Sequence, residues 1–192
     1  MNETVKLGLI LLIITAVAAA VLGFSNSITA ERIAELDKIT NNQAMQEVLG
    51  DAQDFKLVDE SKLKEAQAVS SNILEINEGY DSSSNLVGYA IKATAIGYGG
   101  EIQFMIGISS DGQITGIKVI SHSETPGLGA NSEKSYFTDS FKGKSASQEL
   151  TYSKNPTKEN EVQAITSATR TTKGIVNGVN MVLEAYNAAL AN

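Results

Sequence analysis

Ile165-Thr166-Ser167-Ala168-Thr169-Arg170-Thr171-Thr172-Lys173-Gly174 runs directly into a stretch that reads as a helix. In that stretch Ile175, Val179, Val182, Tyr186 and Leu190 recur at steps of three or four, which places them on one helical face. The hydroxyl-rich segment is then a helix entrance. Ser and Thr favour that place because their oxygens accept hydrogen bonds from the first free amides. The same entrance carries unpaired N–H donors and the positive end of the helix dipole, so it also suits a phosphate. From spacing alone, the simpler reading is an N-cap with a few spare threonines. Gly174 and Gly178 lie one turn apart, which lets this helix approach a sheet closely.

Upstream, the chain reads as strands joined by turn formers. Runs from Ile73 to Glu78 and from Leu86 to Ile96 flank Asp81-Ser82-Ser83-Ser84-Asn85. A second pair, Glu101 to Ile108 and Gln113 to Ser121, is joined through Ser109-Ser110-Asp111-Gly112. Asp-Gly between alternating apolar runs is a hairpin signal. The two hairpins meet at Gly97-Tyr98-Gly99-Gly100. Glycine at this density permits either a sharp bend or a close approach of backbone to a flat ligand, and the residues leave both readings open.

After the strands, Glu124-Thr125-Pro126-Gly127-Leu128-Gly129 is a structured turn. Glu124 is placed to cap a following helix, which is expected to hold Tyr136, Phe137 and Phe141 as core aromatics. Lys142 to Asn160 is polar, broken by Pro156, and reads as loop. Val162 to Thr166 reads as a short strand leading into the helix entrance. Antiparallel strands with helices before and after them give an α+β domain, expected over residues 71–192.

Lys and Arg number 15 and Asp and Glu 22, for a net charge of −7. An acidic chain without a basic stretch argues against nucleic acid as a partner. Cysteine is absent, which excludes disulfides, thiolate metal sites and Fe–S ligation. His122 has no second imidazole to share a metal with. There is no Ser/His/Asp set, no P-loop and no dinucleotide fingerprint after a strand. No catalytic side chain and no metal site are therefore expected.

Leu7 to Phe24 carries no charge. At about 1.5 Å per residue it nearly spans the ~30 Å hydrocarbon core of a bilayer. A cleaved signal peptide has a shorter apolar core, so a retained transmembrane helix over residues 7–24 is expected, after a short cytoplasmic tail over residues 1–6. Lys6 before the run and Arg32 and Lys38 after it nearly balance, so the positive-inside rule says little about orientation. Residues 25–70 are expected as a helical stalk. It comprises a helix from Ser27 to Gly50, with Thr29 as cap and Asn41-Asn42 as a weak point, and a shorter one from Ser61 to Ser70.

Ile165-Thr166-Ser167-Ala168-Thr169, taken with Glu124 to Gly129, resembles the FMN-binding domain of the G subunit of Rnf ion-translocating electron-transport complexes. It is also similar to the C subunit of sodium-pumping NADH:quinone reductases. The family pattern is Asp-x-x-Ser/Thr-Gly-Ala-Thr. Thr166, Ala168 and Thr169 fit it, while Gln163 stands in place of Asp and Ser167 in place of Gly. The resemblance covers nearly the whole chain.

The resemblance implies FMN esterified through its phosphate to Thr169 by a flavin transferase, with Thr166, Ser167, Ala168, Thr171 and Thr172 around the phosphate. It implies that Glu124, Thr125, Gly127, Leu128 and Gly129 lie against the flavin. It also favours the ligand-contact reading of Gly97, Tyr98, Gly99 and Gly100. It further implies a single-pass protein of the cell membrane with its main domain extracytoplasmic. Its partners would be the other subunits of an Rnf-type complex, and it would carry electrons within an ion-translocating ferredoxin:NAD oxidoreductase. The residues alone also accommodate a flavin-bearing sensor domain or a non-redox extracytoplasmic binding or scaffold domain.

Overall fold

Helix α1, Glu3–Val48, is unbroken over 46 residues in the computed structural model, which describes residues 2–191. The chain divides into one unit up to Asn41 and another from Asn42. The first unit is helix throughout from Glu3. An 18-residue window of α1 has a mean hydropathy of 2.7 and none of it is buried in protein, so this helix is long and apolar enough to cross a membrane. Thr29 does not cap it. Its hydroxyl donates to the carbonyl of Ser25, one turn back, at 3.0 Å, the satisfied mid-helix arrangement for a threonine. Asn41-Asn42 do not interrupt it either, because helical hydrogen bonding continues on both sides.

The second unit is built on a five-stranded antiparallel meander, β1-β2-β3-β4-β5. The strands are β1 Asp54–Leu57, β2 Ile73–Tyr80, β3 Leu86–Ile96, β4 Glu101–Ser109 and β5 Ile114–His122. The expected helical stalk over residues 25–70 therefore holds only to Val48. Beyond it, β1 pairs with β2, with Phe55 opposite Gly79, and belongs to the sheet. Only Phe55 among its four residues is partly buried, so no apolar alternation announces it. Helix α2, Glu60–Val69, matches the expected short helix.

After β5 come 3-10 turns at Gly129–Glu133 and Asp139–Phe141 around a one-turn helix α3, Ser135–Thr138. Phe137 and Phe141 are fully buried, their rings edge to face at 5.2 Å. Tyr136 is exposed rather than core. The polar segment expected as loop contains β6, Thr151–Ser153, which pairs in parallel with β7, Glu161–Gln163. Asn180 fixes this segment to the last helix by accepting the Leu150 N–H and donating to the Leu150 carbonyl, both at 2.9 Å.

Helix α4, Thr169–Ala189, packs on β3 beside α2. Ile175, Val179, Val182, Tyr186 and Leu190 are all buried, as their spacing predicts. They join Ile91, Phe104 and Ile106 in the main core, where each fully buried aliphatic side chain is worth about 1.5–3 kcal/mol. A Cβ on Gly178 would lie 2.8 Å from the Ala95 Cβ, so the small residue sets how near the helix comes. The opposite face of the sheet is covered by Ala44, Met45, Val48, Leu49 and Ala52 against Ala90 and Met105. There Thr115 donates its hydroxyl to the Val48 carbonyl.

Candidate functional site

The entrance of α4 has no side-chain cap. Its N-cap residue is Ala168, and no side-chain oxygen accepts its first amides. The hydroxyls that the sequence offers for this task are used elsewhere. Thr172, fully buried, accepts the Ile165 N–H and donates to the Ala168 carbonyl, both at 3.0 Å. Thr171, also buried, donates to Glu124 Oε2 at 2.8 Å. The Thr172 amide reaches the Ala168 carbonyl. The amides of Thr169, Arg170 and Thr171 ahead of it are the unpaired donors of a helix start. The first turn holds no acidic residue, and Arg170 stands within it. Free donors, a helix dipole and a cation make this entrance electropositive.

The approach to that entrance is a tight turn. The Ala168 N–H bonds the Ile165 carbonyl at 3.1 Å, and Ser167 takes φ 60°. Positive φ at the third position of such a turn favours Gly. Ser167 therefore holds a backbone conformation that Gly adopts more readily. Gln163 lies just upstream at the end of β7, with its side-chain amide donating to the Lys154 carbonyl at 2.9 Å.

A cavity of about 340 Å³ opens beside the entrance. Ser167, Ala168, Thr169, Arg170 and Thr171 form one side of it. Tyr98 from the β3–β4 turn and Glu124, Thr125, Leu128 and Gly129 from the loop after β5 complete it. Thr169 and Ser167 are exposed, and Tyr98 and Leu128 present apolar surface at 71% and 42% exposure. Two wider clefts at the far end of α4, of about 500 and 460 Å³, hold none of these residues.

Nine of the fifteen residues expected at the site line this cavity; Thr166, Thr172, Gly97, Gly99, Gly100 and Gly127 do not. The glycines have other reasons to be glycine. A Cβ on Gly97 would overlap Glu124 Oε1, and one on Gly99 would overlap the Ser123 carbonyl. Gly100 and Gly127 have φ +131° and +78°, with open space where a side chain would go. Gly129 is closed in by Glu124 Oε2 and the Thr171 hydroxyl.

Glu124 does not cap a following helix. The residue is buried, 7% exposed. Oε1 accepts the Tyr98 and Gly99 N–H groups at 2.7 and 2.9 Å, and Oε2 accepts the Thr171 hydroxyl. Its own N–H goes to His122 Nδ1 at 3.1 Å, so His122 Nε2 carries the proton and lies 3.2 Å from a Glu133 carboxylate oxygen. Arg170 is the lining residue that the sequence reading passed over. Its signal was available, since a cation in the first turn of a helix is unfavourable without an anion nearby.

Comparison with known proteins bears on this arrangement directly. The G subunit of the Na(+)-translocating ferredoxin:NAD(+) oxidoreductase complex of Acetobacterium woodii is 46% identical over 191 residues, covering 94% of this chain and 90% of that protein. The chain belongs to the G-subunit family of ion-translocating oxidoreductase complexes. A second member, from Methanosarcina acetivorans, is 32% identical over 97% of this chain and 96% of its own length. The model of the FMN-binding domain family matches residues 97–184, which runs from the β3–β4 turn through most of α4 and so contains every residue lining the cavity. In fold the chain is similar to the C subunit of a Na(+)-translocating NADH-quinone reductase from Parabacteroides distasonis. The TM-score is 0.63 at 20% identity, over 84% of this chain and 97% of that one. The antiparallel sheet with flanking helices is thus the fold of this family.

Proposed function

We propose that this chain is the electron-carrying flavoprotein subunit of an Rnf-type ion-translocating ferredoxin:NAD oxidoreductase, with FMN held as a phosphoester on Thr169. The observation that carries the assignment is the state of the threonines. Thr169 is exposed, lines the cavity, and among the described residues its hydroxyl has no hydrogen-bond partner. Thr171 and Thr172 are buried and bonded, and Thr166 is outside the cavity.

The residues fit the group. Three free amides and Arg170 suit a phosphate, the Thr125 hydroxyl suits a ring oxygen, and the apolar faces of Tyr98 and Leu128 suit a flat ring. Bound FMN supplies the redox chemistry. The chain attaches it, orients it and keeps water from part of it. On this reading no side chain has to act as acid, base or nucleophile during electron passage. Maturation needs a flavin transferase, which moves the FMN phosphoryl group from a flavin dinucleotide to the Thr169 oxygen; the P–O bond to Thr169 forms as the pyrophosphate bond breaks, the nucleoside monophosphate leaves and the hydroxyl gives up its proton.

The apolar part of α1 holds the protein in the cell membrane as a single span, with the domain from Asn42 onward outside the cytoplasm and the other subunits of the complex as its partners. Peptide mass mapping of protein from its native membrane tests the attachment. One FMN adduct on the peptide containing Thr169 is expected, and an adduct on Thr166 or Thr171 overturns the assignment. Protease added to cells stripped of their outer layers tests the topology. Digestion of the domain to a short membrane-held stub is expected, and full protection reverses the orientation.

A further inference from the structure

Glu124 joins three segments that the sequence keeps far apart. Its two oxygens take donors from the β3–β4 turn, 26 and 25 residues upstream, and from the first turn of α4, 47 residues downstream. Its own backbone belongs to the loop that carries Thr125 and Leu128. These are the three pieces from which the cavity is made.

The glycines around it are fitted to this carboxylate. A Cβ on Gly97 or on Gly129 would overlap one or other of its oxygens. The Gly-rich turn therefore accommodates a buried acid from its own chain. Of its four residues only Tyr98 reaches the cavity, and the Tyr98 amide is one of the two backbone donors to Glu124 Oε1.

We propose that Glu124 is the positioning residue of this site. By holding Tyr98, the 123–129 loop and Thr171 together, it fixes the width of the cavity between Tyr98 and Thr169 without touching the attachment atom. The proposal deepens the FMN reading and rests on it for its ligand. Removing the carboxylate frees two amides and a hydroxyl at once, so Tyr98 loses its fixed place relative to α4. Gln keeps most of the network. Its carboxamide oxygen accepts the same two amides and its NH2 donates to Thr171, whose hydroxyl is able to accept.

The test uses the full chain in membranes, coexpressed with a flavin transferase, as wild type, Glu124→Ala, Glu124→Gln, Thr171→Val and Glu124→Ala/Thr171→Val. Four quantities are read: FMN adduct by intact mass, the visible bands and midpoint potential of the loaded fraction, and hydrogen exchange at the Tyr98 and Gly99 amides of unloaded protein. Glu124→Ala should lower the adduct yield at least tenfold, shift the bands and midpoint of whatever loads, and speed exchange at both amides. Thr171→Val should act in the same direction to a smaller degree. The double variant should be no worse than Glu124→Ala alone, because the two residues act through one bond. Glu124→Gln should restore most of the loading.

Wild-type loading, bands and midpoint in Glu124→Ala overturn the proposal, as do fully additive effects of the two single changes. Wild-type protein that takes no flavin refutes the FMN reading instead. The exchange measurement still decides the joining role, since Thr171→Val must then loosen the Tyr98 and Gly99 amides or the role is refuted. Should Glu124→Ala fail to fold, Thr171→Val and Glu124→Gln decide the same question from milder changes.

Discussion

A Cβ on Gly174 would overlap the carbonyl oxygen of Ile96. The first turns of α4 thus rest directly on the backbone of the strand that leads into the Tyr98 turn. Helix propensity alone favours Ala over Gly by about 1 kcal/mol. Overpacking against fixed backbone costs about 1–3 kcal/mol or more. Gly174→Ala should therefore destabilise, by up to about 2 kcal/mol net in denaturant unfolding, and should lower FMN loading by lifting the entrance away from Tyr98. A stabilised variant would mean that α4 does not sit this close to the strand.

Ser167 holds a left-handed backbone conformation that costs an L-residue about 1–2 kcal/mol. Part of that cost is balanced by the greater freedom Gly gains in the unfolded chain. Ser167→Gly should raise stability by about 0.5–1 kcal/mol, visible as a higher melting temperature, with FMN loading kept. Ser167→Val should lower both, because a β-branched side chain tolerates positive φ poorly.

Thr169 is exposed and its hydroxyl has no partner among the described residues. Thr169→Ala should change folding stability by less than about 0.5 kcal/mol while abolishing covalent flavin, read as yellow colour that survives denaturation. Retained covalent flavin would place the attachment elsewhere.

Phe137 is fully buried in the main core, edge to face with Phe141. Phe137→Ala should cost about 3–5 kcal/mol. Limited proteolysis of that variant should cut first between Glu124 and Lys142, the segment whose support it removes.

Glu161 accepts the N–H of Thr157 at 2.9 Å and of Lys158 at 3.3 Å. The Thr157 bond above all holds its carboxyl below the ordinary glutamate range, against a smaller opposing effect of burial. Because the folded value is depressed, its contribution is present above the unfolded glutamate pKa and is lost as pH falls through the folded one. Glu161→Gln should lower the melting temperature at neutral pH, where the carboxylate contributes, and flatten the acid side of a plot of melting temperature against pH, so that the two proteins converge in acid. An unchanged acid limb would show that the two bonds contribute nothing.

The parts of the fold legible in the sequence were those with a period. Ile175, Val179, Val182 and Tyr186 announced α4, and Asp111-Gly112 announced the β4–β5 hairpin. The elements that escaped lack one. β1 is a four-residue strand with a single partly buried side chain, and β6 is three residues long and held by a parallel neighbour. At the site, Thr169 was legible as part of a local pattern. The work of Glu124 was not, since its partners lie 25 to 47 residues away and nothing near it in the chain names them. The glycines at 97 and 99 were visible as a feature, while the atoms that crowd them, from residues 102, 123 and 124, are far from them in the sequence or unremarkable in type.

Helix α4 meets β3, the middle strand of the meander, after every strand of that sheet has already been synthesised. A chain that stops short of α4 holds every strand of the sheet and still possesses no attachment residue and only part of the cavity wall. On the proposed chemistry, flavin on Thr169 therefore certifies that synthesis has passed the whole sheet and reached the entrance of α4.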